Sequence, residues 1–419
     1  MRDTGKLIFL DLRDWTGRIQ LYIGKKQVGE ANWAVAQCFD LGDLIGVEGE
    51  LKHTQKGELT IFVDQLQFLT KSLEPPPDKH HGLSDVETRH RRRELDLMAS
   101  EEVRKLFADR ARVVSAVRAY LDGEGFIEVE TPVLQPLYGG ALARPFTTHH
   151  NELDRDLYLR IATELYLKRL LVGGLERVYE LGKDFRNEGV STKHNPEFTM
   201  VEFYEAYADY EVEAERLEAL VRAAADAIGY AGELDFASPW RRVGFIDAIA
   251  EATGIDLAAH ADAEALRAEI ERRGLEINTR EASWAQMADD LLSKHVEPDL
   301  VQPTFVFDYP VELSPFAREH RSAAGLVERW EAFAGGIEIA NAFSELNDAD
   351  AQRARFEAQQ RAAEAGDEQT QPYDELFVAA LEQGMPPAGG VGLGIDRLVM
   401  LLTGRDSIRE VVLFPALRD

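Results

Sequence analysis

A chain of 419 residues, 45% hydrophobic and 29% charged, has the material for two or three packed domains and is not a disordered polymer. Its 47 basic and 75 acidic residues give a formal charge of −28, which argues against nonspecific nucleic-acid binding and leaves room only for local positive or aromatic patches. No run reaches the roughly 18 apolar residues of a membrane span and no basic-then-apolar leader opens the chain, so a cytoplasmic protein without a membrane partner is expected.

In chain order, residues 7 to 70 alternate apolar and polar side chains in short runs, at 7–13, 17–23, 43–49 and 58–64, split by Gly and Asp turns. This predicts a small antiparallel barrel, and the OB-fold is the usual small barrel that binds oligonucleotides. Cys38, the single cysteine, excludes an intramolecular disulfide and a cysteine metal site and is expected to be a small buried apolar side chain. Pro75, Pro76 and Pro77 stiffen the stretch that follows, so the expected division is a barrel at 1–72, a linker at 73–92 and a second domain at 93–419. Arg89, Arg91, Arg92 and Arg93, near His80, His81 and His90, make the densest positive run, a pattern that usually marks a solvated linker or helix face.

Val103, Phe107, Ala111, Val114, Val117 and Leu121 recur at helical spacing until Gly123 and Gly125 end the helix, and a strand at 126–131 is stopped by Pro132. The segments 182–189 and 194–204 read as two strands joined by a polar loop that gathers Arg186, Glu188, His194 and Asn195. In the second strand a period of two puts Phe198, Met200, Glu202 and Tyr204 on one face. A carboxylate sharing a face with Phe and Met marks a binding wall, because an unpaired buried charge is costly. Residues 211 to 300 are rich in Ala, Glu and Arg at helical spacing and are expected to form a helical insertion.

Late in the chain come four acidic positions, Glu331, Glu338, Glu345 and Asp348. Hard carboxylate oxygens suit magnesium, which takes one or two of them together with substrate phosphates. Residues 389–400 form a Gly-rich turn running into an apolar helix that carries Arg397. It is not a Walker A loop, since no Gly-Lys-Ser/Thr follows, and its spacing misses the dinucleotide fingerprint.

At the strand-loop-strand of 182–204 and at the Gly-rich 389–400 the chain resembles the class II aminoacyl-tRNA synthetases, and most closely the lysyl-tRNA synthetases, over nearly its whole length. The helix, strand and proline of 101–132 are similar to motif 1 of that family, which builds the dimer interface, and the apolar stripe of the helix is expected to need a partner subunit. The fold that the resemblance implies is α+β. It has an antiparallel catalytic sheet flanked by helices and an OB-type barrel lacking its first strand, since residues 1–6 stand where that strand would be finishing. An open barrel edge is a liability that another element would have to cover.

The activity the resemblance implies is activation of L-lysine by ATP with Mg2+ and transfer of the lysyl group to tRNA(Lys), by a homodimer. Carried over residue by residue, Gly140, Glu164 and Glu202 face the substrate α-amino group, Arg186 and Asn341 its carboxylate, and Tyr204 and Glu345 its ε-ammonium. A lysine side chain needs a buried anion, where an aspartate-specific relative needs a cation. Thr163 departs from the proline that many relatives carry before the Glu, which bears on local rigidity. For ATP, Arg186 meets the α-phosphate, His194 the outer phosphates, Asn195 and Glu188 the adenosine, and the base lies between Phe198 and Arg397. Arg186 and Arg397 are the expected catalytic residues, and Glu331 and Glu338 the magnesium ligands. In a regular strand Glu338 would face away from Asn341 and Glu345, so a bulge is expected between Glu338 and Asn341.

By the same resemblance Arg2, Phe9, Gln20 and Glu58 match the anticodon-reading positions; strand alternation alone also allows Phe9 to be a barrel core residue. The rival functions are an aspartyl or asparaginyl synthetase, a paralogue that lysylates a translation factor, and a non-catalytic RNA-binding relative. Paralogues of the protein-lysylating kind lack the barrel, and a non-catalytic relative would have lost ligand residues that are all present here.

Overall fold

The computed structural model describes residues 2–77, 83–280, 282–364 and 371–417, so His80 and His81 lie outside the described residues. The chain divides into two compact units, Met1–Val103 and Arg104–Asp419.

The first unit opens with strands β1 (Arg2–Asp3), β2 (Leu7–Arg13) and β3 (Arg18–Gly24), then helix α1 (Lys25–Ala36), strands β4 (Leu44–His53) and β5 (Leu59–Thr70), and helices α2 (Val86–Arg91) and α3 (Arg93–Ala99). The strands form one sheet in the order β1-β2-β3-β5-β4, with β3 and β5 parallel and the other pairs antiparallel. Ile8, Leu21, Ile23 and Val63 bury the inner face against Val28, Trp33 and Ala36 of α1. Phe9 has the opposite parity to Ile8 and therefore lies on the other face, which answers the alternative of a core role. There Phe9, Tyr22 and Phe62 stand side by side across three strands, with ring centroids 5.4 and 4.6 Å apart. Gln20 is on the same face and accepts a hydrogen bond from Thr60 Oγ1 at 3.0 Å, and Glu58 is exposed just ahead of β5. The backbone of Arg2 pairs with Phe9.

Two expectations change in this unit. Cys38 is exposed rather than buried, because it follows the end of α1, where the chain turns toward Phe39, and it is Phe39 that enters the core. The arginine run is matched by carboxylates: Arg89 and the buried Arg93 pair with Asp96 at 2.9 and 2.7 Å, Arg91 with Glu87 at 2.7 Å, and Arg92 with Glu94 at 2.5 Å.

The second unit begins within the first turn of α4 (Glu101–Gly123) and continues through β6 (Ile127–Glu128), β7 (Leu134–Gln135), β8 (Thr147–His150), β9 (Arg155–Leu159) and α5 (Glu164–Val172). Strands β10 (Arg177–Phe185) and β11 (Glu197–Ala206) lead to α6 (Tyr210–Ile228), β12 (Arg241–Gly244), α7 (Phe245–Thr253), α8 (Ala263–Arg273) and α9 (Trp284–His295). The remainder is β13 (Thr304–Phe307), β14 (Arg329–Ala334), β15 (Ile337–Ser344), α10 (Ala349–Glu364), α11 (Glu375–Glu382), β16 (Ala388–Gly394), α12 (Ile395–Thr403) and α13 (Ile408–Val411). Eight strands make the main sheet in the order β12-β13-β14-β15-β16-β11-β10-β6, antiparallel except for the two outermost pairs, and β7-β9-β8 form a smaller sheet.

The stripe of α4 is covered only in part by the chain itself. Val117 and Leu121 are buried in its core with Leu106 and Val113 and with Val201 and Phe203 of β11, Phe107 and Val114 pack partly buried against that core, and Ala111 is exposed. Helix α6 joins that same core, started by Asp209, whose carboxylate accepts from the N–H groups of Glu211 and Val212, and ended by Gly229 in the left-handed region at φ 65°. A separate apolar cluster begins at Phe245 and packs α7, α8 and α9 against Val306 and Phe333 of the sheet. Asp348 caps α10 by accepting from the N–H groups of Asp350 and Ala351 at 2.9 and 3.0 Å.

The expected irregularity is present in β15. Ala332 pairs with Ala340 and Phe333 with Glu338, so Ile339 has no opposite residue and the register shifts by one. Glu338 and Asn341 thereby reach the same side of the sheet.

Candidate active site

The fourteen residues singled out above for amino acid, nucleotide and metal all line one cavity of about 410 Å3 on the main sheet. Its floor is β11, β15 and β16, and the glycines of β16 are there for room. A Cβ on Gly390 would stand 2.1 Å from Glu345 Oε1 and 2.4 Å from the Tyr204 ring. Gly140, at φ 87°, brings its backbone against Glu164, and its N–H donates to Gln371 Oε1 at 3.1 Å.

One end of the cavity is buried and acidic. Glu164, Glu202, Tyr204 and Glu345 are each at most 5% exposed. Glu202 Oε1 accepts from the Thr163 N–H at 3.2 Å and Oε2 from the Tyr204 hydroxyl at 3.1 Å. Burial, and then the charges of Asp184 and Glu164, push the Glu202 carboxyl up to about 8. Burial likewise holds Glu345 well above the carboxylate range, against the pull of Lys168. Glu345 Oε1 has no hydrogen-bond partner among the described residues. The Tyr204 phenol is raised by burial and then by the neighbouring Glu202 charge.

The other end is open and basic. The Arg186 guanidinium lies 5.0 Å from the centre of the Phe198 ring. Arg397 donates to the Glu338 backbone oxygen at 2.8 Å and to its carboxylate at 2.9 Å, and approaches His194 Nε2 at 3.3 Å. Burial and then the Arg397 charge hold His194 below the usual imidazole value, so its ring is neutral near pH 7. Glu188 is exposed at the rim. Asn195 is committed to the backbone: Nδ2 donates to Glu197 O at 2.6 Å and Oδ1 accepts from Ala416 N at 3.1 Å.

Glu331 and Glu338, on the adjacent strands β14 and β15, line the cavity between these ends. Burial, only partly offset by Arg329, and then the Glu338 charge raise Glu331 to about 7. At Glu338 burial is outweighed by Arg397, Arg329 and Arg186, and the carboxyl falls below its ordinary value. Among the described residues no three His, Cys, Asp or Glu side chains gather as a metal cage. Two carboxylates lining the same cavity suit a magnesium ion that completes its shell from phosphates and water.

A family model described as "tRNA synthetases class II (D, K and N)" matches residues 85–418. The chain belongs to the class II tRNA synthetases. In its first unit, residues 1–69 of the synthetase match an "OB-fold nucleic acid binding domain". The synthetase is 51% identical over 427 residues to a lysine–tRNA ligase of Dehalococcoides mccartyi, spanning all of this chain and 86% of that one. Lysine–tRNA ligases of Moorella thermoacetica and Prochlorococcus marinus are each 52% identical, over 425 and 433 residues, with all of this chain and 87% and 85% of theirs covered.

The synthetase holds several site residues that sequence reasoning missed. Lys168, 0% exposed, ion-pairs with Glu164 at 2.5 Å and with Glu345 Oε2. Its spacing of four from Glu164 on one helix was the available signal. Arg329 donates to Asn341 Oδ1 at 2.9 Å and to Glu331 at 2.5 Å, which turns the Asn341 amide so that its N–H2 is the free end. Asp396 pairs with Arg110 of α4 at 2.6 Å and accepts from the Thr199 N–H at 2.8 Å. It thus fixes the start of α12, from which Arg397 projects. The roles of Arg329 and Asp396 could not be assigned from the sequence, because each depends on which distant residue the fold puts opposite.

Proposed function

We infer that this synthetase activates L-lysine with ATP and transfers the lysyl group to tRNA. The observation that carries the amino-acid choice is Glu345, a carboxylate 1% exposed with one oxygen lacking a partner, at the closed end of the cavity. An ammonium side chain meets that oxygen favourably. A carboxylate or carboxamide side chain would face a second acid there, so the aspartyl and asparaginyl alternatives fit poorly. Lys168 is a cation in the same place, but Glu164 and Glu345 already engage it.

In the reading we propose, Gly140, Glu164 and Glu202 take the α-ammonium, Tyr204 and Glu345 the ε-ammonium, and Arg186 with the Asn341 N–H2 the carboxylate. The lysine carboxylate attacks the ATP α-phosphorus in line and pyrophosphate leaves; the terminal ribose hydroxyl of tRNA then attacks the carbonyl carbon of the adenylate and AMP leaves. Arg186 stabilises the charge that develops at the α-phosphate, His194 and Arg397 the outer phosphates, and Glu188 and Asn195 flank the adenosine. Phe198 and Arg397 give the base two faces to stack between. Glu331 and Glu338 would hold Mg2+, which when bound neutralises phosphate charge. Positioning and electrostatics suffice, and no protein nucleophile is required.

We also propose the division into a barrel at 1–72, a linker at 73–92 and a catalytic domain at 93–419, a homodimer, and a cytoplasmic location beside the tRNA pool. Exposed Ile127, Val133 and Leu134, just after α4, support subunit pairing. Sedimentation at micromolar concentration should give a dimer, and a monomer alone would count against it. Arg2, Phe9, Gln20 and Glu58 are the proposed anticodon-reading residues. Stacking contributes roughly 1–3 kcal/mol per base, so Phe9→Ala should weaken tRNA charging by about tenfold or more and leave pyrophosphate exchange near normal. Equal loss in both assays would point to misfolding of the barrel, and no loss in either would remove the assignment. The reading as a whole is tested by ATP–pyrophosphate exchange with each amino acid. Exchange with lysine is expected, and exchange with aspartate or asparagine instead would overturn it.

A further inference from the structure

The closed end of the cavity is crowded with carboxylates. Glu164, Glu202 and Glu345 are all at most 5% exposed, and they share it with one cation, Lys168, itself 0% exposed. Lys168 Nζ is held at 2.5 Å from Glu164 and pairs with Glu345 Oε2, while the Phe316 and Phe343 rings stand 5.2 and 5.1 Å away. The ammonium is therefore boxed between two acids and two aromatic faces, an arrangement with one position for it. Glu202 is held by neutral donors, the Thr163 N–H and the Tyr204 hydroxyl, and receives no cation of its own.

Charge matching then counts the substrate. In the occupied site, where all three carboxylates can ionise beside one built-in ammonium, two negative charges need counterparts from the substrate, because buried ionised carboxylates without them are expensive. L-lysine brings two ammonium groups, while its carboxylate falls to Arg186 and Asn341 in the reading above. Three acids then meet three ammoniums. A monoammonium amino acid would leave one buried acid unmatched or protonated. Were Lys168 neutral, even lysine would leave one.

We propose that Lys168 is a specificity-determining positioning residue: as the built-in third ammonium, it holds Glu164 and Glu345 in place and sets at two the number of ammonium groups the pocket accepts, which selects a diammonium amino acid. It does not reach the reacting atoms. The inference rests on the reading of this cavity as a lysine site, and the two fail separately. If the unaltered enzyme shows no lysine-dependent exchange, the site reading is at fault; if it does and Lys168 proves dispensable, the inference is.

The test uses the full chain in lysine- and ATP-dependent pyrophosphate exchange. Lys168→Met keeps much of the side-chain length and removes the charge. Its KM for lysine should rise by about a hundredfold or more, with the KM for ATP within about threefold of the unaltered enzyme. A merely structural lysine would move both constants or neither, and either result overturns the proposal. Lys168→Ala opens a space the size of a short alkylammonium. Propylammonium chloride should recover at least about fivefold of its lost lysine activity, and propanol should not. Recovery by both, or by neither, counts against a role for the charge. If the uncharged variants do not fold, Lys168→Arg decides. A lysine KM within about tenfold of the unaltered enzyme supports the proposal, and a loss as large as that expected for Met overturns it.

Discussion

The two ends of the cavity solve opposite problems by opposite means. The amino-acid end is closed, and its charges sit on side chains that are almost wholly buried: Glu164, Glu202 and Glu345 around Lys168. The end proposed for the nucleotide is open, and its charges are carried on side chains that solvent still reaches: Arg186, Arg397 and Glu188. In a closed space each charge must be matched nearly one for one, because desolvation makes any surplus costly. In an open space several cations share a polyanion and water screens the rest. Selectivity therefore belongs to the closed end and tolerance to the open one, and single substitutions should separate the two.

The largest expected effect is at the closed end. Glu345→Gln removes one partner of a buried ion pair, a loss of about 3–5 kcal/mol, and lysine-dependent exchange should fall by about two orders of magnitude or more with little change in ATP affinity. Unchanged lysine affinity would refute the assignment. At the open end Arg397→Met removes a charged hydrogen-bonding group, for which about 1.5–3 kcal/mol is typical. The KM for ATP should rise by roughly tenfold or more while the KM for lysine stays within a few-fold, and a reversed pattern would dissolve the contrast.

The contrast also has a pH signature. The Glu202 carboxyl is raised to about 8 in the free site. An arriving ammonium favours its ionised form and lowers that value, so lysine binding releases a proton below it. Glu345, also raised by burial, adds to that release, so lysine affinity should rise with pH by about tenfold per unit or more well below 8. Calorimetry in two buffers of different ionisation enthalpy counts the proton directly, and binding without proton release at pH 7 would contradict the assignment. Smallest is Thr163→Pro, which removes the N–H that donates to Glu202 Oε1. One hydrogen bond of about 1 kcal/mol predicts roughly a fivefold weaker interaction with lysine and none with ATP. The departure from proline at this position is thus a matter of one extra donor as well as of rigidity.

The parts of this arrangement that could be read from the sequence are those governed by local periodicity. Alternation in 198–204 put Phe198, Met200, Glu202 and Tyr204 on one face, and all four line the cavity. The conflict between Glu338 and Asn341 was itself informative, since only an extra residue could resolve it, and Ile339 is that residue. What local pattern could not reveal was partnership. The stripe of α4 looked the same whether its cover was another subunit or the chain's own β11. Cys38 was misjudged because a short side chain at a helix end is placed by its neighbours, and here Phe39 took the core. Lys168 and Arg329 escaped notice because a buried cation is recognisable only once the acids around it are known.

The unpaired Ile339 has a consequence for how this strand tolerates change. Side chains alternate with a strict period of two, so residues before and after the bulge are in different phases of that alternation. A substitution at Ile339 alters one contact. Deleting the residue would leave Glu338 two positions from Asn341, still on one side of a strand that no longer has the bulge. Drawing Ile339 into regular pairing would instead set Glu338 three positions from Asn341 and turn one of the two into the core, with every residue of the strand still present. For this strand the spacing between residues carries as much of the chemistry as their identities do.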